Sequence, residues 1–462
     1  MLKVGKMEIL GEREISSSDL EEIVNKAKDW ALAHGISLRP SHRDEDQDKV
    51  TYLPFTLFPT QVSHHLLQHA RLSMIHFNRL IHRVSMDHQF LQEAFKNVIQ
   101  VDDFTRNLWN IYLAVKDDPQ AQSIYLGSFR NDFMFQLEEE NNQSLKQVEF
   151  NTISVAKCGL SSKVPGLYRY ILNCAGLPYK GEQIPEKDVA KGQVAAFMKA
   201  WKLYDNPKAI IVFVVLHNER YAMDQRLMEF EIYKQNPNIR VVRKTFNDLI
   251  RYGKLTKNRK YLVDTEEVAV VYYRAGYNPT EYSTDQMYKM STDSLSTRRN
   301  QENTTTIIRA TNFKQRQYNL DLARDRQTLL EKGDRAIKMA IKNPDQFVLK
   351  PQREGGGNNL YGNSMKEFLE SIQDSEERCA YILMDLIKPV KSWNYLVKPN
   401  NVLKPVECVA ELGVYGCFIG QKNGEIYNTE TGFLMKSKVF GCDEGGIRAG
   451  FGGLDYPFLF DI

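Results

Sequence analysis

The apolar run at residues 209–216 places the strongest constraint on how this chain can fold. A strand that carries no polar side chain on either face has to be covered on both faces, as a parallel strand is inside a sheet between two layers of helices. The residues that follow fit this arrangement, because a helical pattern at 223–235 leads to strand patterns at 240–244 and 268–273. The order strand, helix, strand predicts a small doubly wound, parallel α/β lobe.

The composition narrows the class of protein. The net charge of 462 residues is only +3 and no dense basic tract is present, so we expect neither a nucleic-acid partner nor an anionic lipid surface. No apolar run reaches the roughly 18 residues of a membrane span, so no membrane association is expected. The six cysteines are scattered, which favours reduced thiols and a cytoplasmic location. Export through a removed presequence is the alternative, since such a presequence leaves no trace.

A glycine-rich loop follows a short predicted strand that begins at residue 347. The strand ends in Lys350, and Gly355, Gly356 and Gly357 follow Glu354 directly. Glycines let the backbone approach a ligand closely, and successive N–H groups in such a loop can surround phosphate oxygens. Lys350 adds a positive charge, and Glu354 is a suitable ligand for Mg²⁺. The loop therefore predicts an ATP site with magnesium, although neither the Walker nor the Rossmann glycine pattern is present.

A metal–nucleotide site needs further oxygen ligands. The alternating pattern at residues 145–151 predicts a strand on which Glu149 and Asn151 face the same side. Glu411 lies in another predicted strand end, at residues 409–413. Spacing alone does not show that these side chains meet Glu354.

The chain resembles the eukaryotic glutathione synthetases, which are ATP-grasp proteins. The segments that carry the resemblance keep their order and are residues 53–59, 148–154, 270–277, 347–362, and 374–378 with 381–384. The resemblance covers almost the whole chain and implies an α/β, ATP-grasp body with the small α/β substrate-binding lobe inserted into it. The implied boundaries are residues 1–205 for an N-terminal helical region with part of the body, 206–303 for the inserted lobe with a polar linker, and 304–462 for the rest of the body. The resemblance also implies a homodimer.

The family joins γ-glutamylcysteine to glycine, so the resemblance implies ATP and Mg²⁺ as cofactors and a dipeptide and an amino-acid acceptor as small-molecule substrates. In this reaction the terminal carboxylate of the dipeptide attacks the γ-phosphate, and the acceptor amine displaces phosphate from the resulting acyl phosphate. Such a site has to neutralise charge, position two substrates and exclude water. No covalent nucleophile is required.

The resemblance also implies roles for individual residues. The implied magnesium ligands are Glu149, Asn151 and Glu354, and catalytic roles are implied for Arg130, Lys350 and Glu354. The implied ATP contacts are Glu149, Lys350, Gly355, Gly356, Gly357, Asn358, Asn359, Tyr361, Met384, Ile387, Glu411 and Lys438. The implied substrate contacts are Arg130, Ser154, Glu219, Arg220, Tyr221, Gln225, Arg274, Tyr277, Lys436, Ile447 and Arg448.

The departures from the family pattern lie in the substrate pockets. Residues 155–158 read Val-Ala-Lys-Cys in place of a small, Ser-containing, aromatic run. Tyr221 replaces an Asn, Lys436 replaces an Arg, and Arg448 stands in a loop whose residues are normally small. Three hypotheses follow: a glutathione synthetase that tolerates these changes, an ATP-grasp ligase with a different acceptor, or a non-catalytic relative that keeps nucleotide binding. The retained magnesium ligands argue against the third, because an idle site has no need for clustered carboxylates.

Overall fold

The computed structural model describes residues 15–40, 46, 48–117, 123–139, 142–282, 326–353, 357–421, 424–442 and 452–460. Within these ranges the helices are α1 (Ser17–Ala33), α2 (His64–Met86), α3 (His88–Phe95), α4 (Val98–Val101), α5 (Asp103–Lys116), α6 (Cys158–Ser161), α7 (Val164–Cys174), α8 (Val189–Tyr204), α9 (Ala222–Gln235), α10 (Phe246–Tyr252), α11 (Arg326–Lys342) and α12 (Gly362–Ile372). Residues outside the described ranges include the predicted linker that ends at 303 and the candidate site residues Glu354, Gly355, Gly356, Ile447 and Arg448. No helix in the described part of the chain has the length and apolar character needed to cross a bilayer.

The strands of the same ranges are β1 (Ser37–Leu38), β2 (Thr51–Tyr52), β3 (Phe55–Thr56), β4 (Thr60–Ser63), β5 (Tyr125–Leu137), β6 (Gln143–Asn151), β7 (Ile210–Val214), β8 (Val241–Lys244), β9 (Gly253–Leu255), β10 (Tyr261–Val263), β11 (Glu266–Tyr273), β12 (Phe347–Pro351), β13 (Leu360–Tyr361), β14 (Tyr381–Asp385), β15 (Lys391–Val397), β16 (Pro405–Gln421), β17 (Gly424–Val439), β18 (Gly452–Asp455) and β19 (Pro457–Phe460). Helices pack against several sheets, which confirms the predicted α/β class.

A seven-stranded sheet with the order β15-β3-β18-β17-β16-β5-β6 forms the largest layer. Its centre is the long antiparallel pair β16 and β17, to which β5 and then β6 add on one side. Helices α2 and α8 pack against this pair. Glu411 lies well inside β16, so its predicted position at a strand end was wrong, because the pairing with β17 continues on both sides of it.

A second sheet, with the order β8-β7-β11-β10-β9, contains the apolar run identified in the sequence. Every residue of β7 is buried, and β8 and β11 pair with it in parallel, as predicted. Alternate residues of β7 enter different cores: Ile211 and Phe213 join the main core, whereas Val212 packs with Phe246 and Tyr261. Strands β10 and β9 extend the sheet in the antiparallel direction, which the sequence pattern did not predict.

A third sheet, β13-β12-β14, carries the strand that leads into the glycine-rich loop. Helices α11 and α12 cover the face that contains Phe347 and Leu349. The segment after β14 then returns to the large sheet, where the N–H of Val390 donates to the carbonyl of Phe135 at 2.9 Å. The small sheet is thus tied to the edge of the large sheet formed by β5 and β6.

Candidate active site

Four charged side chains meet on the middle strands of the large sheet: Arg130 and Asp132 of β5, Glu411 of β16 and Lys436 of β17. We call them the central charge cluster. Asp132 is completely buried and accepts two hydrogen bonds from Arg130, at 2.6 Å from Nε and 2.7 Å from Nη2. The Nζ atom of Lys436 lies 2.5 Å from a carboxylate oxygen of Glu411 and 3.6 Å from one of Asp132. The i, i+2 spacing on a strand places Arg130 and Asp132 on the same face.

Opposing effects set the ionisation of the cluster. Burial alone raises the pKa of Asp132, but Arg130 and Lys436 outweigh burial and hold this pKa far below its ordinary value. Burial lowers the pKa of Lys436, but the negative charges of Glu411 and Asp132 raise it by more, so the pKa of Lys436 lies above its ordinary value. Burial also raises the pKa of Glu411, against the opposing effect of Lys436. Asp132 and Lys436 are therefore charged at neutral pH.

Strand β6 brings the two described magnesium-ligand candidates beside this cluster. The side-chain amide of Asn151 donates to Asp132 at 3.2 Å and to the carbonyl of Arg130 at 3.3 Å. These bonds orient the amide and use only its nitrogen, so the cluster makes no hydrogen bond to Oδ1. Glu149 is paired in register with Asp132 and lies on the same face of β6 as Asn151. The third candidate, Glu354, lies outside the described residues.

Lys350 connects the small sheet to strand β6, a contact between distant segments that sequence spacing could not predict. Its side chain is 6% exposed, and its Nζ donates to the carbonyl of Val148 on β6 at 3.3 Å. Val148 directly precedes Glu149, so the cation at the end of the glycine-loop strand lies beside the candidate metal ligands. The site therefore forms where the small sheet meets the edge of the large sheet.

An apolar cluster shares the face of β12 that carries Lys350. The register pairs Lys350 with Ile382 and Val348 with Met384, so these four residues lie on one face. Tyr361 packs against the three apolar members, and its hydroxyl accepts a hydrogen bond from Asn359 at 3.3 Å. An apolar surface next to a cation suits an aromatic base attached to phosphates.

The other described ATP candidates lie around these strands. Gly357 has φ +95°, a conformation that favours glycine, and exposed Asn358 follows it. Ile387 lies in the segment between β14 and the large sheet. Lys438 lies two residues after Lys436 on β17 and pairs with Val409 of β16.

Arg353 anchors the start of the glycine-rich loop. Its guanidinium forms an ion pair with the buried Asp102, whose carboxylate also caps the N-terminus of α5 by accepting from Thr105 N–H at 2.7 Å. The Arg353 guanidinium also lies 5.9 Å from the ring centre of Phe104. Arg353 is thus fixed to the N-terminal helices by contacts that the sequence did not indicate.

A chain of hydrogen bonds holds the first group of substrate candidates. Glu219 accepts from the backbone N–H of Tyr221 at 2.9 Å and from Gln225 Nε2 at 2.7 Å. Gln225 in turn accepts from Arg243 at 2.6 Å. The carbonyl of the neighbouring Arg220 accepts from the N–H of Arg39 at 3.1 Å.

Asp224 joins the α/β lobe to the backbone segment around the start of α6. Its carboxylate accepts from the backbone N–H groups of Lys157 at 2.7 Å and Gly159 at 2.9 Å, and lies 3.3 Å from Arg274. Ser154 donates to the carbonyl of Arg274 at 2.8 Å. The segment from Ser154 to residue 160 is therefore held between the lobe and the central charge cluster. Tyr277, half-buried, follows this arginine by three residues.

Known proteins resemble this chain over most of its length. The model of the eukaryotic glutathione synthase ATP-binding domain matches residues 17–459. Glutathione synthetase of Homo sapiens is 36% identical over 460 residues, which cover 95% of this chain and 97% of that protein. The chain belongs to the eukaryotic glutathione synthetase family. It is therefore an ATP-dependent ligase of the glutathione synthetase type.

A second curated relative agrees with this chain in length, and a solved structure agrees with it in fold. Glutathione synthetase of Dictyostelium discoideum is 32% identical over 480 residues, which cover 95% of this chain and all of that protein. A solved glutathione synthetase-like effector of Globodera pallida, in its apo form, superposes with a TM-score of 0.70 at 20% identity. That match covers 97% of this chain and 98% of the other, and it shows the shared fold.

Two buried acids of this ligase were missed by the sequence reasoning. Asp132 stands two residues after Arg130, and Asp224 directly precedes Gln225, so each was next to a candidate that the resemblance identified. A signal was present for Asp132, because the i, i+2 spacing on a strand favours an Arg–Asp pair on one face. For Asp224 the partners come from residues 157–160, and nothing local indicated that contact.

Gly413 of β16 leaves the space in which Arg130 and Asp132 pair. The register places Gly413 opposite Asp132, and a Cβ atom there would lie 2.8 Å from Arg130 Cδ and 2.9 Å from Asp132 Oδ1. We expect Gly413→Ala to lower the free energy of unfolding by about 1–3 kcal/mol, because the ion pair has to shift. Ligase activity should fall with it. Urea denaturation and steady-state kinetics measure the two effects.

Gly424→Ala is the matched control for this prediction. Gly424 also lies on an antiparallel strand, but nothing lies within 4 Å of the Cβ position there. If Gly413→Ala is as stable and as active as Gly424→Ala, the spatial role assigned to Gly413 is wrong.

Proposed function

We propose that this ligase is a glutathione synthetase, which uses ATP with Mg²⁺ to join γ-glutamylcysteine to glycine where β12 meets β6. The observation that carries the proposal is the contact of Lys350 with the carbonyl of Val148, next to Glu149. This contact supports a role for Lys350 as a phosphate-binding cation beside the candidate metal ligands. The central charge cluster lies one strand away, where Arg130 and Lys436 offer charge to a substrate carboxylate.

The donor atoms on β6 fit a magnesium ion. Mg²⁺ prefers oxygen ligands and is commonly held by one or two protein groups together with substrate phosphates. The Glu149 carboxylate and Asn151 Oδ1 would supply the protein oxygens, with Glu354 as a third. Among the described residues, no group of three His, Cys, Asp or Glu side chains gathers as a metal site. When bound, the ion would neutralise phosphate charge.

Arg130 is suited to orient the reacting carboxylate. Asp132 engages Nε and Nη2, and the carbonyl of Ala156 accepts from Nη1 at 3.4 Å. A guanidinium has five N–H groups, so two remain for a substrate carboxylate. Because Asp132 fixes the plane of the guanidinium, these two donors keep a defined direction, which lowers the cost of ordering the substrate.

The reaction then balances without a protein nucleophile. A carboxylate oxygen of γ-glutamylcysteine attacks the γ-phosphorus, and ADP leaves. The glycine amine attacks the carbonyl carbon of the acyl phosphate, loses a proton and expels inorganic phosphate. Lys350 offsets charge on the phosphate oxygens, while Arg130 holds the carboxylate in line. Glu219, Gln225 and Arg274 are proposed to bind the γ-glutamyl part.

An ADP-release assay tests the proposed function. We expect glycine to support turnover with ATP, Mg²⁺ and γ-glutamylcysteine, at a kcat of about 1–10³ s⁻¹. Omission of glycine or of the dipeptide should reduce ADP release to background. Other amino acids, acidic ones included, form the comparison panel. Turnover with another amine but not with glycine would show that glycine is not the acceptor. ATP binding without ADP release in the presence of any acceptor would reject the ligase assignment.

We also propose that the chain divides at 1–205, 206–303 and 304–462, that it forms the homodimer implied by the family resemblance, and that it is cytoplasmic. The location is supported by the cysteines, all six of which are free thiols.

A further inference from the structure

Lys157 occupies an unusual position for a lysine. It is 9% exposed and directly precedes α6 with φ +72°, a conformation that L residues other than Asn and Asp rarely adopt. Three hydrogen bonds fix its backbone: the N–H donates to Asp224 at 2.7 Å, and the carbonyl accepts from the N–H of Ser161 at 2.9 Å and from the Ser161 hydroxyl at 2.5 Å. A strained, pinned backbone gives the side chain a defined direction, and such strain concentrates at functional positions.

The side chain of Lys157 lines a small cleft together with Arg130, Asp132, Tyr415 and Lys436. The other two cations of this cleft already have acidic partners, because Arg130 binds Asp132 and Lys436 lies against Glu411. Within the described residues, the Nζ atom of Lys157 makes no ion pair and no hydrogen bond. Among the described residues, three cations and one acid, Asp132, line the cleft, and Glu411 adds a second acid through its contact with Lys436.

A buried cation without an anionic partner is costly, and the cost falls when a ligand supplies the anion. Burial, followed by repulsion from Lys436 and Arg130, lowers the pKa of Lys157 to about 7 in the ligand-free chain. The attraction of Asp132 and Glu411 does not offset these effects. A carboxylate in the cleft would hold the side chain in its charged form.

We propose that Lys157 is a substrate-binding residue of this cleft, whose ammonium group binds a carboxylate of one of the two small substrates. The inference rests on the proposed function and adds a specificity residue to it. The carboxylate belongs either to the dipeptide or to the amino-acid acceptor. The chemistry is the same in both cases, a charge-assisted hydrogen bond, and separate titrations of the two substrates distinguish the sources.

Lys157→Met removes the charge and keeps most of the apolar stem. We expect the KM of one substrate, and its Kd by calorimetry without turnover, to rise about 10–100-fold. The KM of ATP should stay within a factor of two. If KM and Kd rise only for γ-glutamylcysteine, the bound carboxylate belongs to the dipeptide. If they rise only for glycine, it belongs to the acceptor. Lys157→Arg should restore part of the lost affinity, and Lys191→Met, at an exposed position on α8, is the matched control.

Two additional readouts separate binding from a structural role. Removal of an unpaired buried cation should leave the urea midpoint of the free protein unchanged or higher, whereas loss of a structural residue lowers it. In the parent protein, affinity for the substrate should decline as the pH rises through about 7, as free Lys157 loses its proton. The groups that face it, Arg130, Asp132, Glu411 and Lys436, with Tyr415, are unchanged in Lys157→Met, so the variant should lack this decline.

The outcomes are distinguishable from failure of the proposed function. If the parent protein turns over glycine while Lys157→Met leaves both substrate affinities within a factor of two, the role of Lys157 is refuted and the function stands. If the parent shows no turnover but Lys157→Met loses carboxylate affinity, the binding role stands and the function does not.

Discussion

Replacement of Asp132 with Asn should lower the free energy of unfolding by about 3–5 kcal/mol and remove most ligase activity. The carboxylate is completely buried, accepts two hydrogen bonds from Arg130 and one from Asn151, and lies 3.6 Å from Lys436. A neutral Asn leaves Arg130 and Lys436 without this negative partner in a site shielded from water. The same change releases the guanidinium that we propose to orient the substrate.

The pH dependence of this effect has a defined sign. The folded-state pKa of Asp132 lies below the unfolded-state value of about 3.9, because Arg130 and Lys436 outweigh burial. Its contribution to stability is therefore fully present above about pH 5 and is lost as the pH falls towards the folded-state pKa. The difference in unfolding free energy between the parent and Asp132→Asn should shrink in acid.

Urea denaturation from pH 2 to pH 8 measures both effects. Glu425→Gln is the control, because Glu425 forms a surface ion pair with Arg79 at 2.9 Å, and such pairs contribute about 0–1 kcal/mol. If Asp132→Asn fails to fold, Arg130→Lys keeps the charge and removes the two-point contact, and should fold with reduced activity. An active Asp132→Asn protein within 1 kcal/mol of the parent would contradict the account.

Lys350→Met should lower kcat/KM for ATP by about 10²–10³-fold, which is typical for loss of one positioned group that stabilises transition-state charge. The ammonium is buried beside the carbonyl of Val148, one residue from Glu149, so no exposed cation can replace it readily. Met retains the apolar stem that packs in the small sheet. Stability should therefore change far less than activity.

Steady-state kinetics with ATP as the varied substrate, together with urea denaturation, test this prediction. Lys366→Met removes a lysine from the exposed face of α12 on the same small sheet, where it lies 4.0 Å from Glu370. This control should leave ATP kinetics unchanged. Equal kinetics for the two variants would show that Lys350 does not contact the nucleotide.

Hydrophobic patterns within single segments of the sequence predicted individual strands correctly. The apolar run that forms β7 and the alternation in β6 each depend on a few adjacent residues, and both strands are present. Residues that the family resemblance identified lie on strands of the two sheets that meet at the site: Arg130 on β5, Glu149 and Asn151 on β6, Lys350 on β12, Glu411 on β16, and Lys436 and Lys438 on β17. The register between distant strands could not be predicted, because it depends on pairings such as Lys436 with Glu411 that local sequence does not encode.

Long-range packing explains what the sequence reasoning missed. Asp132 pairs with Arg130 because Gly413, almost three hundred residues later, leaves room for the pair. Lys157 was noticed as a departure from the family pattern, but its importance came from position: Asp224 of the α/β lobe fixes its backbone, and β5 and β17 supply the charges around it. The substrate pocket therefore depends on contacts between elements far apart in the chain.

The central claim is that this chain activates a carboxylate with ATP, and the fate of the carboxylate oxygens tests it most directly. γ-Glutamylcysteine labelled with oxygen-18 in its cysteine carboxylate would be converted with ATP, Mg²⁺ and glycine, and the inorganic phosphate analysed by mass spectrometry. The account predicts one labelled oxygen in each phosphate molecule and one in the new amide. ADP formation with unlabelled phosphate would contradict it.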